Sequence, residues 1–122
     1  MFRENLMKIV DNVEGGLAGL LMGFDGIAVE SYIPVPKTDV AIDINTVGME
    51  FSFILTQVRK AAEILEVGDV QEITIKTGTL NVVMRVLNHE YFIALALGPG
   101  GNFGKGRYLL RVVAPQIATE LA

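Results

Sequence analysis

The sequence predicts an α+β fold: a five-stranded antiparallel sheet with helices on its faces, in the order α-β-β-α-β-β-β-α. Three observations carry this. An Asp25-Gly26 pair sits between two apolar runs, a long segment of helical period follows a proline-bearing loop, and three strand-like runs with hairpin-length links come after it. Short links make neighbouring strands antiparallel, and amphipathic helices beside such a sheet bury their apolar faces in layers.

The elements follow in chain order. Phe2, Leu6, Ile9, Val10 and Val13 fall on one face of a first helix, with Arg3, Glu4, Lys8, Asp11 and Asn12 opposite, and Gly15-Gly16 ends it. Leu17–Met22 and Ile27–Tyr32 form a hairpin about Phe24-Asp25-Gly26, since Asp and Gly both tolerate positive φ. Pro34 and Pro36 close the second strand and open a loop through Asp39. Thr46–Val67 is the long central helix, capped by Asn45 or Asp43 and stopped by Gly68. Gln71–Lys76, Leu80–Leu87 and Tyr91–Leu97 are the three later strands, the last apolar enough to be the most buried. The loop Gly98–Gly104 leads to a final helix that buries Leu109, Leu110, Val113, Ile117 and Leu121; Pro115 kinks it or shifts its start.

Composition limits the function. The chain has 122 residues, enough for one domain spanning 1–122. It has no cysteine and one histidine, so thiolate chemistry and His-rich metal sites are excluded and a reducing, cytoplasmic setting is expected. A net charge of −4 argues against nucleic-acid and anionic-membrane surfaces. Yet 51% of the residues are hydrophobic and the mean hydropathy is +0.45, high for a small soluble monomer. Membrane insertion does not absorb the excess. The longest charge-free run, Tyr91–Gly104, has 14 residues and is broken by Pro99, whereas a spanning helix needs about 20. Self-association is the expected outlet.

The central helix locates part of this surplus. At 100° per residue, Phe51, Ile54, Val58, Ala62 and Leu65, with Leu55 at the edge, form a stripe expected to face the sheet. Ser52, Arg59, Glu63 and Glu66 form a polar sector. Met49, Phe53 and Ile64 group on the opposite side, with Thr56 and Lys60 among them. An apolar patch rimmed by charge marks an interface.

The hairpin GGLAGLLMGFDGIAVES with its Asp25-Gly26 turn, the long helix after a loop, the meander, and the closing helix introduced by Gly104-Lys105-Gly106-Arg107 together resemble the roadblock / dynein-light-chain family, whose layering profilin shares. The resemblance implies a homodimer that joins sheets edge to edge through the first meander strand, with long helices paired into a platform. It further implies a small Ras-like GTPase as partner, as in the bacterial gliding-motility regulators of that family. Carried over, Gln71, Glu72, Ile73, Thr74, Ile75 and Lys76 form the dimer edge strand. Met49, Phe53, Thr56, Lys60 and Ile64 lie at the helix–helix seam or on the GTPase platform, and the sequence does not divide them. Glu72 and Lys76, opposite in sign, could face each other across an antiparallel seam. A passive dimerisation adaptor without effect on nucleotide turnover is the alternative.

Catalytic and cofactor patterns are weak. Gly98–Gly106 follows a strand and precedes a helix, but Pro99 and Gly106 stand where a phosphate-binding loop needs Gly and Ser or Thr; its glycines are expected to serve positive-φ turns, and nucleotide binding ranks last. His89 lies in a turn with no nucleophile beside it. Asp39 and Asp43, four apart, could ligate a hard cation but suit loop and cap roles better. Arg59 reads as a solvated partner of Glu63 rather than an arginine finger. Neither an enzyme constellation nor a cofactor or metal site is expected.

Overall fold

The computed structural model describes residues 1–34 and 43–122. The elements are α1 (Phe2–Asp11), β1 (Gly16–Gly23), β2 (Ala28–Tyr32), α2 (Ile44–Leu65), β3 (Glu72–Lys76), β4 (Asn81–Val86), β5 (Tyr91–Leu97) and α3 (Phe103–Leu121), the predicted order. The strands form one antiparallel sheet ordered β2-β1-β5-β4-β3, so the two hairpin systems meet at β1 and β5. β5 is indeed the innermost strand, with every residue from Phe92 to Leu97 buried.

Strand alternation divides the core into two layers. On one side Leu21, Val83, Ile93, Leu95 and Leu97 meet α1 through Leu6, Ile9 and Val10, and α3 through Leu110, Val113 and Ile117. On the other side Ala18, Leu20, Met22, Val82, Met84, Phe92, Ala94 and Ala96 meet α2 through Ile44 and Leu55. Ile93, Leu95 and Leu97 of β5 point at two helices, and Ala94 and Ala96 at one, which lets α2 lie close to the sheet. Tyr32 ties α1 to β2 by donating its hydroxyl to both carboxylate oxygens of Asp11, at 2.9 and 3.0 Å. That bond to a carboxylate is the main reason the phenol titrates above its ordinary range.

Local chemistry sets the boundaries, with several departures from expectation. The first hairpin is not a two-residue turn: Gly26 alone takes a positive φ (85°), and Asp25 instead accepts the Ile27 N–H with its Oδ1 at 3.0 Å. α2 ends at Leu65, earlier than Gly68, because Glu66 itself turns left-handed (φ 56°) and its N–H returns to the last helical carbonyls. Pro115 does not shift the start of α3, which begins at Phe103 and runs through the proline. The first-turn cap there is Asn102, whose side chain accepts the Lys105 N–H at 3.1 Å. Pro36 and Asp39 lie outside the described residues.

The glycine-rich loop after β5 also works differently from expectation. None of Gly98, Gly100, Gly101, Gly104 and Gly106 has a positive φ; that conformation is taken by Gly15, at 81°, across from the loop. What the loop needs is closeness. A Cβ on Gly15 would stand 2.5 Å from the Gly101 Cα, and one on Gly106 2.7 Å from Leu95. Two backbone bonds hold the crossing, Gly98 N–H to the Gly15 carbonyl and Asn102 N–H to the Glu14 carbonyl, both 2.9 Å. Gly15→Ala therefore combines left-handed strain with a backbone clash and is expected to destabilise the fold by about 2 kcal/mol or more. Gly100→Ala, which meets nothing within 4 Å, is expected to change stability by less than about 0.5 kcal/mol. Urea unfolding of the two variants checks the contrast; equal midpoints would refute it.

Candidate functional site

The surface in question is the outward side of α2 together with the free edge of the sheet. α2 begins at Asp43, whose Oδ1 accepts the Thr46 N–H at 3.2 Å while Oδ2 accepts the Thr46 hydroxyl at 2.8 Å. Of the two predicted caps, Asp43 is the one used. The helix then packs on the sheet through a face of small residues. A Cβ on Gly48 would lie 2.2 Å from Leu20 Cδ2 and 3.3 Å from the Met22 sulfur. Ser52, only 3% exposed, satisfies its hydroxyl by donating to the Met49 carbonyl at 2.6 Å.

This seating corrects the expected sheet-facing stripe. Ile44, Gly48, Ser52 and Leu55 are buried, whereas Ile54, Val58 and Leu65 are exposed, Leu65 to 68%. The densest apolar arc is not the buried one, because glycine and serine, poor in apolar area, are what permit the close approach. Arg59 is corrected as well. It is half-buried, stacked 4.1 Å over the Phe24 ring, and its Nη2 donates to the His89 carbonyl at 3.4 Å; among the described residues it makes no ion pair with Glu63. Phe24 in turn packs on Phe92, ring centroids 5.2 Å apart. The lone histidine thus contributes a backbone carbonyl to the seat of α2, in a turn where Asn88 Oδ1 accepts the Glu90 and Tyr91 N–H groups.

Two apolar sectors of α2 then face outward. Met49, Phe53, Lys60 and Ile64 lie within about 60° of one another on the helical wheel, with Thr56, half-buried, at their margin. Phe53 is 62% and Ile64 81% exposed. The second sector escapes the sequence reading: Ile54, Val58, Ala61 and Leu65, about 120° around from the first. Extended back to the half-buried Val47 and Phe51, it alternates spacings of four and three, the heptad pattern of paired helices. Val47 and Phe51 pack against the same core layer as the half-buried Val70, Ile73, Leu80 and Val86 of the β3–β4 hairpin and its approaches.

β3 is the edge strand at that end of the sheet. The Val86 N–H bonds the Gln71 carbonyl at 2.9 Å, which makes Gln71 and Val86 a hydrogen-bonded pair. By alternation Ile73 and Ile75 also turn their backbone groups to β4, and Glu72, Thr74 and Lys76 turn theirs outward. Of the six residues expected at the edge, Gln71 precedes the strand proper. Glu72 and Lys76 are engaged within the chain: Glu72 pairs with Arg85 and Arg107, and Lys76 lies 4.5 Å from the Phe103 ring centroid. Among the described residues no helix is long and apolar enough to cross a membrane, and no group of three His, Cys, Asp or Glu is placed to hold a metal ion. Asp39 of the cation reading lies outside the described residues.

Capping predicts a pH response. The Thr46 hydroxyl bond, then the Thr46 N–H, hold the Asp43 carboxyl below its ordinary value of 3.8. A depressed carboxylate stabilises the folded state fully above that value and ceases to as pH falls through its folded-state value. Wild type is therefore expected to lose thermal stability below about pH 4 more steeply than Asp43→Asn, which caps without titrating; parallel profiles from pH 2 to 7 would refute the role.

No family model and no curated protein sequence matches the chain. Solved structures do. MglC from Myxococcus xanthus is 44% identical over 98% of both chains, with a TM-score of 0.68. A Roadblock/LC7 domain from Streptomyces avermitilis is 13% identical over 97% of this chain and 95% of its own, with a TM-score of 0.82. The gliding protein MglB from Thermus thermophilus reaches 0.82 at 14% identity, over 98% of this chain and 88% of its own. The last two establish likeness of fold. An identity of 44% across nearly the whole of both chains is kinship: the chain belongs to the family of MglC, and its fold is that of the roadblock/LC7 domains.

Proposed function

We propose that the chain acts as one unit, a homodimeric regulator or scaffold of a small Ras-like GTPase in a gliding-motility system. The observation that carries this reading is α2, which leaves two separate apolar sectors outside the fold. A single unmet face calls for one partner, and two faces about 120° apart call for two. Kinship with MglC and the shared fold with a gliding protein supply the class of system.

The sectors divide the work. Ile54, Val58, Ala61 and Leu65, heptad-spaced and in line with Val47 and Phe51, form the seam with the α2 of a second copy. Met49, Phe53, Thr56, Lys60 and Ile64 form the platform for the GTPase. Ile54, Val58 and Leu65 are already partly covered, at 46%, 36% and 68% exposed, so burying the remainder is worth about 0.8–1.5 kcal/mol each, against about 4–15 kcal/mol for association. The seam is therefore joined by pairing of Gln71–Lys76 with its symmetry mate, which satisfies the outward backbone groups of Glu72, Thr74 and Lys76. Since Glu72 already serves Arg85 and Arg107, this pairing rests on backbone bonds rather than a Glu72–Lys76 contact. A platform of this kind regulates by binding one GTPase conformation better than another and so shifting its population.

Val58→Asp is expected to convert the dimer to monomer in multi-angle light scattering, while Phe53→Asp leaves it dimeric and abolishes recovery of the GTPase from source lysate loaded with a slowly hydrolysed GTP analogue. Dimeric Val58→Asp, or a Phe53→Asp variant that still captures the GTPase, would overturn the division. Turnover of the recovered GTPase with and without the protein separates the activator from a passive adaptor, which leaves the rate unchanged.

A further inference from the structure

Opposite the α2 layer, where β3 and β4 meet the first turns of α3, lies a cleft of about 320 Å³ lined by Glu72, Arg85, Arg107, Tyr108 and Arg111. Three guanidinium groups therefore line one cleft in a chain of net charge −4. Glu72 is the only carboxylate among the described residues lining it. One of its oxygens accepts from Arg85 Nη1 at 3.3 Å, the other from Arg107 Nε at 2.7 Å and from Arg107 Nη2. Arg111 makes no ion pair among the described residues; its guanidinium lies 5.7 Å from the Tyr108 ring centroid. The cleft thus carries a formal excess of two positive charges, with most of its N–H donors free for a ligand.

We infer that this cleft binds an acidic segment of a protein partner, its carboxylates seated on Arg107 and Arg111. The planar donor forks of arginine match carboxylates in bidentate fashion. The half-buried Arg85–Glu72 pair, whose side chains are about one-fifth exposed, fixes the floor against which Arg107 is held. A polyphosphate chain such as RNA would extend beyond the cleft and meet the far field of a chain whose net charge is −4. A short acidic segment meets only the local field. The arginines stand on the α3 face of the sheet, whereas the platform and the helix seam of α2 lie on the other; of the cleft's lining only Gln71 and Glu72 belong to the β3 edge that joins copies, and that edge pairs through backbone groups, which leaves the guanidinium groups unused. One copy could then hold an acidic tether behind and another partner in front.

The test uses the full chain and a fluorescein-labelled peptide of alternating Glu and Thr, followed by anisotropy. Arg107→Gln and Arg111→Gln are each expected to weaken binding about tenfold, while Lys105→Gln, on the same helix but outside the cleft, leaves it unchanged. A matched Gln–Thr peptide is expected not to bind. Equal binding of that peptide, no effect of Arg111→Gln, or an effect of Lys105→Gln as large would overturn the site. Displacement by inorganic phosphate at matched charge would assign the cleft to phosphoryl ligands and overturn the peptide. Circular dichroism confirms that the variants fold. Val58→Asp is expected to retain peptide binding, so failure of the dimer proposal leaves this result intact, and the reverse holds for Arg111→Gln.

Discussion

The contact on which the rest depends is the seating of α2 against β1. Gly48 admits Leu20 to a distance that no side chain at that position would allow, and Ser52 and Leu55 continue the same face. Opposite them the sheet offers Ala18, Ala94 and Ala96. Small residues on both sides bring the layers together, and dispersion contacts at such separations add up where larger side chains would hold the layers apart. Once this face is chosen, the orientation of every other residue on the helix follows. Arg59 falls onto Phe24, Phe53 and Ile64 face solvent, and Ile54, Val58 and Leu65 line an exposed flank.

The two sides of the sheet consequently have different chemistry. The α2 layer leaves apolar area outside the fold, the property that bulk hydropathy signals. The α1–α3 layer is packed through large aliphatic side chains and carries the charged contacts at its margin, with Glu72 bridging β4 and α3. Net charge describes the far field of a protein and its long-range steering. It is silent on a local cluster: Arg107 and Arg111 stand four apart on one face of α3, and Arg85 joins them only because β4 packs beside that helix.

Glycine plays a comparable double part. Gly26 and Gly68 take conformations that side chains disfavour, as turn residues do. After β5, Gly101 and Gly106 serve contact instead, Gly101 letting the Glu14–Gly15 corner cross the loop before α3 with two backbone bonds. A sequence reader sees one letter for both uses. Which applies depends on what lies across from it, and the partner here is more than eighty residues away in the chain.

The order of elements, the antiparallel pairing of the later strands, a cap at Asn45 or Asp43 and the burial of β5 were legible in the sequence, because each depends on local spacing and on alternation that neighbouring residues already display. The family resemblance was legible for the same reason, resting on the first hairpin and the succession of elements. The exposure of Met49, Phe53 and Ile64 was legible too, since those positions lie away from the sheet-facing arc on either reading of the helix. The face of α2 that meets the sheet was not. Its circumference is apolar through most of a turn, and periodicity finds the widest apolar arc rather than the one that fits. Fit was decided by the shape of the opposing sheet, through Gly48, Ser52 and the alanines of β1 and β5, and so was the second exposed stripe. The arginine cleft likewise belongs to tertiary structure alone, for only packing brings side chains of a strand and a helix to the same point.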